Sequence, residues 1–402
     1  MRQSRVASAI RGATGSPARA LRSSDFLHGV EHFWLEDLER PIEVMAASVV
    51  GMVAVSEDAD EETFPLNKPV LVNSDKFMAK AGTGPLYEAL QDIYRQGGAL
   101  CVVVRVEAEA AGGSLVDPVV GGIDEDGNYS GMQALLAAET VTGVRPTLLM
   151  LAVGKQDLVT HVPALTVIAD KLHAIPVVSL LEGGPEKAQE AAAKLDGVLF
   201  VYGTCWFGKD GQGNDIYRDP TATVMGHILR VDATEGYWHS PSSRKILGLS
   251  GMKNPVDHQI GSTTSTANIL NSKNVCVIVQ QKGGFYFYGN RLTGPKSMVL
   301  PHQRIRYIVG LSIQEAHQDL VDRNVTANYV ESVKTRVNAL LRRLELREVI
   351  SGGECWVDGE VNKSLIGTNQ VIWDYDLGYY DVAERCTFRQ HVNRSYNEKV
   401  YA

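Results

Sequence analysis

The chain has 402 residues, 44% of them hydrophobic and 21% charged, with a formal net charge of −8. A chain this long outgrows a single core, so two or three domains are expected. The acidic balance argues against general nucleic-acid binding, which needs a basic face to displace counterions from phosphates, and no apolar stretch approaches the thickness of a bilayer core.

Residues 1–24 stand apart: Arg2, Arg5, Arg11, Arg19 and Arg22 are spread among Ser, Ala and Gly with no acid. That composition fits a flexible basic arm or an organellar transit peptide, and the lack of a continuous apolar run argues against a secretory signal. From residue 48 the reading is strand, helix, strand: SVVGMVAV, then a helix opening at Thr83-Gly-Pro with LYEALQDIYRQ, then LCVVVRV. The β-branched runs are continuous instead of alternating, as in strands covered on both faces. TLLMLAV, IPVVSLL and GVLFVYG continue the theme, separated by helical stretches at 162–173 and 185–195. This alternation predicts a mostly parallel sheet with crossover helices over roughly 45–250.

After residue 270 the pattern changes. VCVIVQQ, the turn Lys282-Gly-Gly and FYFYG predict a hairpin; two amphipathic helices follow, then short strands in ECWVDG, QVIWDYD and ERCTFRQHV. An α+β second domain is expected there. The hairpin strand carries Phe285, Tyr286, Phe287 and Tyr288, and so presents aromatic rings to both sheet faces.

Catalytic patterns fail on inspection. His28-Gly-Val-Glu-His32 fits H-x-x-E-H, but Gly29, Val30 and the strand-like flanks oppose the helix that would bring both imidazoles to one metal; in a strand they lie about 13 Å apart. Ser250 in GLSGM lacks the glycine spacing of a nucleophile elbow, and GQGND at 211–215 follows a turn. Ala81-Gly-Thr-Gly84 reads as a helix start with Thr83 as N-cap and Pro85 in the first turn, although the same backbone could hold an anion. The five cysteines, Cys101, Cys205, Cys276, Cys355 and Cys386, form no C-x-x-C pair and read first as small core residues of a protein made in a reducing cytosol. No cofactor or metal is called for, and no catalytic residue.

GFYFYGNRLTG resembles the G-[FY]-x-[FLW]-[FWY]-G-N-R-T stretch of contractile phage tail sheath proteins and R-type bacteriocin sheaths. FLHGVE at 26–31, LNKPVLV at 66–72, GMQALL with VTGVRPTLLMLAV at 131–153, and GYWHSPSSRKILGLSG at 236–251 are similar to further family segments, in the same order. The resemblance runs from about residue 26 to the C-terminus.

The resemblance implies a structural subunit, not an enzyme: an α/β outer domain of subtilisin-like sheath fold over 45–270, an α+β inner domain facing the tail tube over 271–380, an N-terminal arm and linker at 26–44 after a basic extension at 1–25, and a C-terminal arm at 381–402. It implies hexameric rings stacked around the tail tube, baseplate and tail terminator proteins as further partners, contraction that drives the tube through the host envelope, and assembly in the host cytoplasm into a virion. Nucleic acid and membrane are not among the partners. The alternatives are an inactive or divergent hydrolase-like α/β enzyme and an organellar enzyme with a transit peptide.

Sheath arms add strands to sheets of neighbouring subunits, so Phe26, His28, Val30 and Phe33, and Cys386, Phe388 and Val392, are the candidates for inter-subunit strand exchange. The aromatic strand is expected either between its own helices and a neighbour or tube-facing layer, or buried on both faces within one subunit. Gly289 is expected to let the chain turn, with Asn290 and Arg291 hydrogen-bonding the backbone at that corner. The helix at 329–350 places Val330, Val333, Val337, Leu340, Leu341 and Leu344 on one face. Its Lys334, Arg336, Arg342, Arg343 and Arg347 are read as a tube-facing basic stripe, the plainer alternative being a solvated face. Cys276, Cys355 and Cys386 are candidates for inter-subunit disulfides formed after lysis.

Overall fold

The computed structural model describes residues 42–108, 117–295 and 298–400. The N-terminal arm candidates Phe26, His28, Val30 and Phe33, the H-x-x-E-H stretch and the basic extension lie outside the described residues.

The first half alternates as its sequence predicts: β1 (Val49–Val55), β2 (Pro69–Val72), α1 (Pro85–Gln96), β3 (Leu100–Val106), α2 (Ala138–Thr142), β4 (Leu148–Ala152), α3 (His161–Leu172), β5 (Ile175–Leu180), α4 (Pro185–Ala192) and β6 (Leu199–Tyr202). A projecting hairpin of β7 (Cys205–Lys209) and β8 (Asp215–Arg218) leads into α5 (Pro220–Thr234), β9 (Lys245–Ile246), β10 (Gly251–Met252) and α6 (Thr266–Ser272). Then come β11 (Val275–Gln281), β12 (Gly284–Tyr288), α7 (Leu300–Ala316), α8 (Ala327–Leu346), β13 (Cys355–Trp356), α9 (Gly359–Ser364) and β14 (Asp374–Tyr375).

Nine strands form one sheet in the order β2-β3-β1-β4-β5-β6-β11-β12-β9. Every pair from β3 through β11 is parallel; β2, β12 and β9 attach antiparallel at the two ends. One face packs on α1 and α5 through Leu86, Leu90, Ile93, Val224 and Ile228, the other on α3, α4 and α6 through Leu165, Ile168, Ala188 and Leu270. Burial on both sides is why these strands carry unbroken apolar runs.

The sheet corrects the expected boundary at residue 271. β11 pairs parallel with β6, and β12 continues the same sheet, so the aromatic hairpin completes the α/β layer and opens no second domain. VCVIV reads as a doubly covered strand by the same rule that identified its parallel neighbours. The C-terminal part is instead built from α7, α8 and the small β13–β14 ribbon, around Ile308, Val309, Val337, Leu340, Leu341 and Cys355. Ile42 and Tyr237 join that core.

A buried ion pair fixes α7 to the α/β layer. Arg304 on α7 meets Asp232 on α5 at 2.7 Å through Nη1, each side chain 3% exposed; the same carboxylate accepts from Ser48 Oγ at 2.6 Å, and Arg304 also donates to the Ala47 carbonyl at 3.0 Å. The helix start at 81–85 differs in detail from expectation. Gly84 occupies the N-cap and Pro85 opens α1, whereas Thr83 donates its N–H and hydroxyl to the Asp58 carboxylate at 2.8 and 2.7 Å.

Candidate assembly surfaces

The aromatic strand finds partners for both faces inside its own subunit. Phe287 is fully buried in the α1/α5 core, its ring 5.8 Å from that of His227, with Phe285 packed on the same side. Tyr286 and Tyr288 pack on the opposite core, Tyr288 lying 4.9 Å from the His258 ring. Phe287 is buried completely in this way, and Phe285, Tyr286 and Tyr288 in part.

The loop from the 236–251 motif is stitched along β12. The Ser243 N–H donates to the Phe287 carbonyl at 2.7 Å, the Phe287 N–H to the Arg244 carbonyl at 3.1 Å, and the Gly289 N–H to Ser242 Oγ at 3.1 Å. Arg244 is itself held by Glu235 through two bonds of 2.7 and 2.6 Å. The run ends at Gly289 for a steric reason: its φ is 121°, and a Cβ there would lie 2.4 Å from Asn271 Nδ2 and 2.8 Å from Cys276 Sγ.

Arg291 does not serve the corner backbone as expected. Its guanidinium reaches Glu384, 93 residues on, with bonds of 3.0 and 2.6 Å, because the C-terminal chain passes over this corner. Asn290 is buried, and its carbonyl accepts from the Leu300 N–H at 2.7 Å. His302 on α7 secures the same passing chain by donating from Nε2 to the Tyr380 carbonyl at 2.9 Å, with its ring stacked 4.8 Å from Tyr379. A cleft of about 900 Å³ lies beside this root, walled by the polar residues His239, Ser240, Asn268 and Asn271 and by Trp238 and Glu384.

Beyond Glu384 no hydrogen bond or ion pair ties the arm to the rest of the described residues. The expected strand in 384–392 has no ladder partner among the described residues; residues 385–393 carry no regular structure and are exposed, Phe388 at 95% and Val392 at 84%. Cys386, Phe388 and Val392 share one face of an extended chain, with the polar Gln390 between Phe388 and Val392 on that same face. Only after Asn393 does a short 3-10 helix, Arg394–Val400, form.

The basic helix is not a single stripe. α8 buries Val333, Val337, Leu340, Leu341 and Leu344, as its periodicity predicts, and leaves Val330 half-buried. At 3.6 residues per turn Arg336, Arg343 and Arg347 flank one side of that apolar face, and Lys334 and Arg342 the other. Arg343 donates to the Ile42 carbonyl, Arg347 lies 5.5 Å over the Trp238 ring, and Lys334 pairs with Glu331 at 2.7 Å. Arg342 is exposed on a face it shares with Glu331 and Glu345. Sequence spacing counted the cations but not the internal contacts that engage several of them.

Two of the three disulfide candidates are withdrawn. Cys276 and Cys355 are 0% and 1% exposed, and burial pushes the Cys276 thiol up to about 12, so neither is accessible or reactive in the folded subunit. Cys386 is exposed on the arm. Among the described residues, no group of three or more His, Cys, Asp or Glu side chains is placed to hold a metal ion, and no helix is long and apolar enough to cross a membrane.

Comparison with known proteins accounts for this architecture. Residues 303–393 match the family model of the phage tail sheath C-terminal domain, which spans α7, α8, the ribbon and the exposed arm. The tail sheath protein of Escherichia phage P2 is 30% identical over 391 residues, covering 93% of this chain and 97% of that one; the major tail sheath protein of Serratia phage KSP20 is 30% identical over 392 residues, covering 94% and 98%. The fold also matches the contracted helical sheath of the anti-feeding prophage, with TM-score 0.69, 17% identity and coverage of 92% and 100%. The contracted PVC sheath of an extracellular contractile injection system matches with TM-score 0.64, 16% identity and coverage of 92% and 100%. This chain therefore belongs to the contractile phage tail sheath family, as a structural component of the virion.

Proposed function

We propose that the subunit polymerises with copies of itself as stacked hexameric rings around a tail tube, linked by strands that its arms donate to neighbours, and that contraction of this mesh drives the tube through the host envelope. The observation that carries the reading is the C-terminal arm: exposed, without a strand partner among the described residues, and anchored at its root by Arg291 and His302. A strand with open N–H and C=O groups is a template for pairing with another chain. Eight extended residues, 385–392, span about 28 Å, enough to lie across an adjoining subunit. The buried Arg304–Asp232 pair supports motion of the rest of the subunit as one body, with the arms as the segments that bend.

Assembly in the host cytoplasm, association with baseplate and tail terminator proteins, and the tube as inner partner belong to the same reading. It is supported by the names of relatives that include a helical sheath and a prophage baseplate. For a tube contact, Arg342 and Arg347 are exposed cations at the C-terminal end of α8. A chain ending at Ala383 tests the proposal. The expected result is a folded, soluble subunit with an unchanged melting temperature that forms no sheath tubes in electron micrographs; tubes of normal length from the truncated chain would overturn strand donation by this arm.

A further inference from the structure

The nine-stranded sheet ends on one side at β9, and side chains take backbone groups that this last strand turns outward. β9 pairs with β12 through Phe285 opposite Ile246 and Tyr286 opposite Lys245, and the Phe287 N–H donates to the Arg244 carbonyl at 3.1 Å. Arg244 and Ile246 therefore face β12, and antiparallel alternation turns the N–H and C=O of Lys245 and Leu247 away from the sheet. On those groups a further strand would build.

Two helices reach them. Gln96, the last residue of α1 and 1% exposed, donates from Nε2 to the Leu247 carbonyl at 2.6 Å and accepts from the Leu247 N–H at 3.0 Å through Oε1. A primary amide so placed offers the donor and the acceptor of a neighbouring strand. Arg230 on α5 donates to the Lys245 carbonyl, so three of the four outward groups are met by side chains. Helix packing sets their aim: α1 and α5 touch at Gly226, where a Cβ would lie 2.9 Å from Ile93 Cα and 3.0 Å from Gln96 Cβ. The opposite end of the sheet is blunted differently. β2 is four residues long and opens with Pro69, which has no N–H to offer, directly after Lys68.

We infer that Gln96 and Arg230 close the β9 edge of the α/β sheet against a strand from a second copy of this chain, and that the segment kept out is the exposed C-terminal arm, residues 385–392. The inference rests on the strand-donation reading above and adds the specificity that such a polymer needs. Where copies that carry a β-prone arm pack side by side, every unmet sheet edge competes for it, and pairing at β9 would tie the wrong layers together. Fastening α1 to β9 needs no amide, because Ile93 and Ile246 already share one apolar core there. A buried amide costs free energy unless both its groups are bonded, and Gln96 meets that cost with the N–H and C=O of a single edge residue.

Opening the edge tests it. Gln96→Met and Arg230→Met together remove the three bonds and keep long side chains; the pair is made in the full-length chain and in the chain ending at Ala383, and read by sedimentation velocity and electron micrographs. Ile93→Val, which thins the same core and leaves the three bonds, controls for lost stability. The expected result is a full-length double variant that loses monomer to irregular aggregates in place of regular tubes, a truncated double variant that stays monomeric, and regular tubes from Ile93→Val. Regular tubes from a folded full-length double variant overturn the closure, and so do irregular aggregates from Ile93→Val, which would assign them to lost stability. Aggregates from the truncated double variant overturn the arm as the segment kept out. Should the double variant not refold, Gln96→Glu, which keeps the acceptor and loses the donor, is expected to give a smaller share of irregular aggregates, and their absence overturns the role of Gln96. Regular tubes from the otherwise unaltered chain ending at Ala383 would instead overturn strand donation itself.

Discussion

The aromatic hairpin and the C-terminal arm both look, in sequence, like strands that need outside help, and the structure separates them. β12 has rings on both faces and finds a partner for each within the subunit: helices above and below, β11 on one side, β9 and the 242–244 loop on the other. The arm leaves Phe388 and Val392 exposed and has no strand partner among the described residues. Dense apolar patterning on both faces marks a strand already enclosed by its own chain. An exposed segment that leaves from a fastened root is the one proposed above to pair with another chain.

Truncating the two regions to Ala should split stability from assembly. Phe287→Ala is expected to destabilise the subunit by about 3–5 kcal/mol, the range for a buried aromatic, whereas Phe388→Ala should leave denaturant unfolding within about 0.5 kcal/mol of the parent and reduce tube formation. A Phe388→Ala subunit that melts early, or one that polymerises normally, would erase the distinction. Asp232→Ala, which strands the Arg304 guanidinium in the interior, belongs with the enclosed region and should cost about 3–5 kcal/mol by the same measurement.

A pH series sharpens the contrast further. His227, under Phe287, donates from Nε2 to the Pro241 carbonyl at 2.9 Å and accepts from Arg230 at Nδ1, and burial first, then the neighbouring arginines, lower its pKa to about 4. A folded pKa below the unfolded value means that the unfolded chain binds the proton first, so this residue's contribution to stability is lost as pH falls from about 6.5 toward 4. Asp92 acts with the opposite sign: burial raises its pKa to about 6 despite ion pairs with Arg218 and Arg95, so it contributes stability as pH falls through that value. His227→Gln should remove only the first effect, and the variant should gain about 3 kcal/mol relative to the parent between pH 7 and pH 4 in urea unfolding curves. A constant difference across that range would show that the imidazole does not titrate against the fold. The smallest effect on the subunit is expected for Arg291→Ala. Its pair with Glu384 is half-exposed and worth about 0–1 kcal/mol, so the melting temperature should barely move while electron micrographs show shorter tubes as the arm root loosens.

The α/β layer was legible because continuous β-branched runs, each followed by an amphipathic helix, have essentially one solution, and the collinear motifs pointed to the family. The arm's candidate residues came from a short β-prone run flanked by polar sequence together with the family resemblance. The hairpin was placed in the wrong part of the molecule because strand periodicity reports how many faces are covered, not which sheet supplies the neighbour. The clearest missed residue is Asn338 on α8, whose side-chain amide accepts from the Cys355 N–H at 2.8 Å and donates to the Cys355 carbonyl at 2.9 Å, since nothing in VNALL distinguishes such an amide from one in solvent.

Sequence by itself determined the main elements, their buried faces and the order in which they follow, because these depend on local periodicity and backbone sterics. Only the tertiary structure decided that β11 joins β6, that Arg291 holds Glu384 across 93 residues, that the cations of α8 divide between two sides, and that the Asn338 amide bonds the backbone of Cys355. Each of these is a contact between residues far apart in the chain, and such pairings are fixed by how whole layers pack, not by the pattern of any one segment.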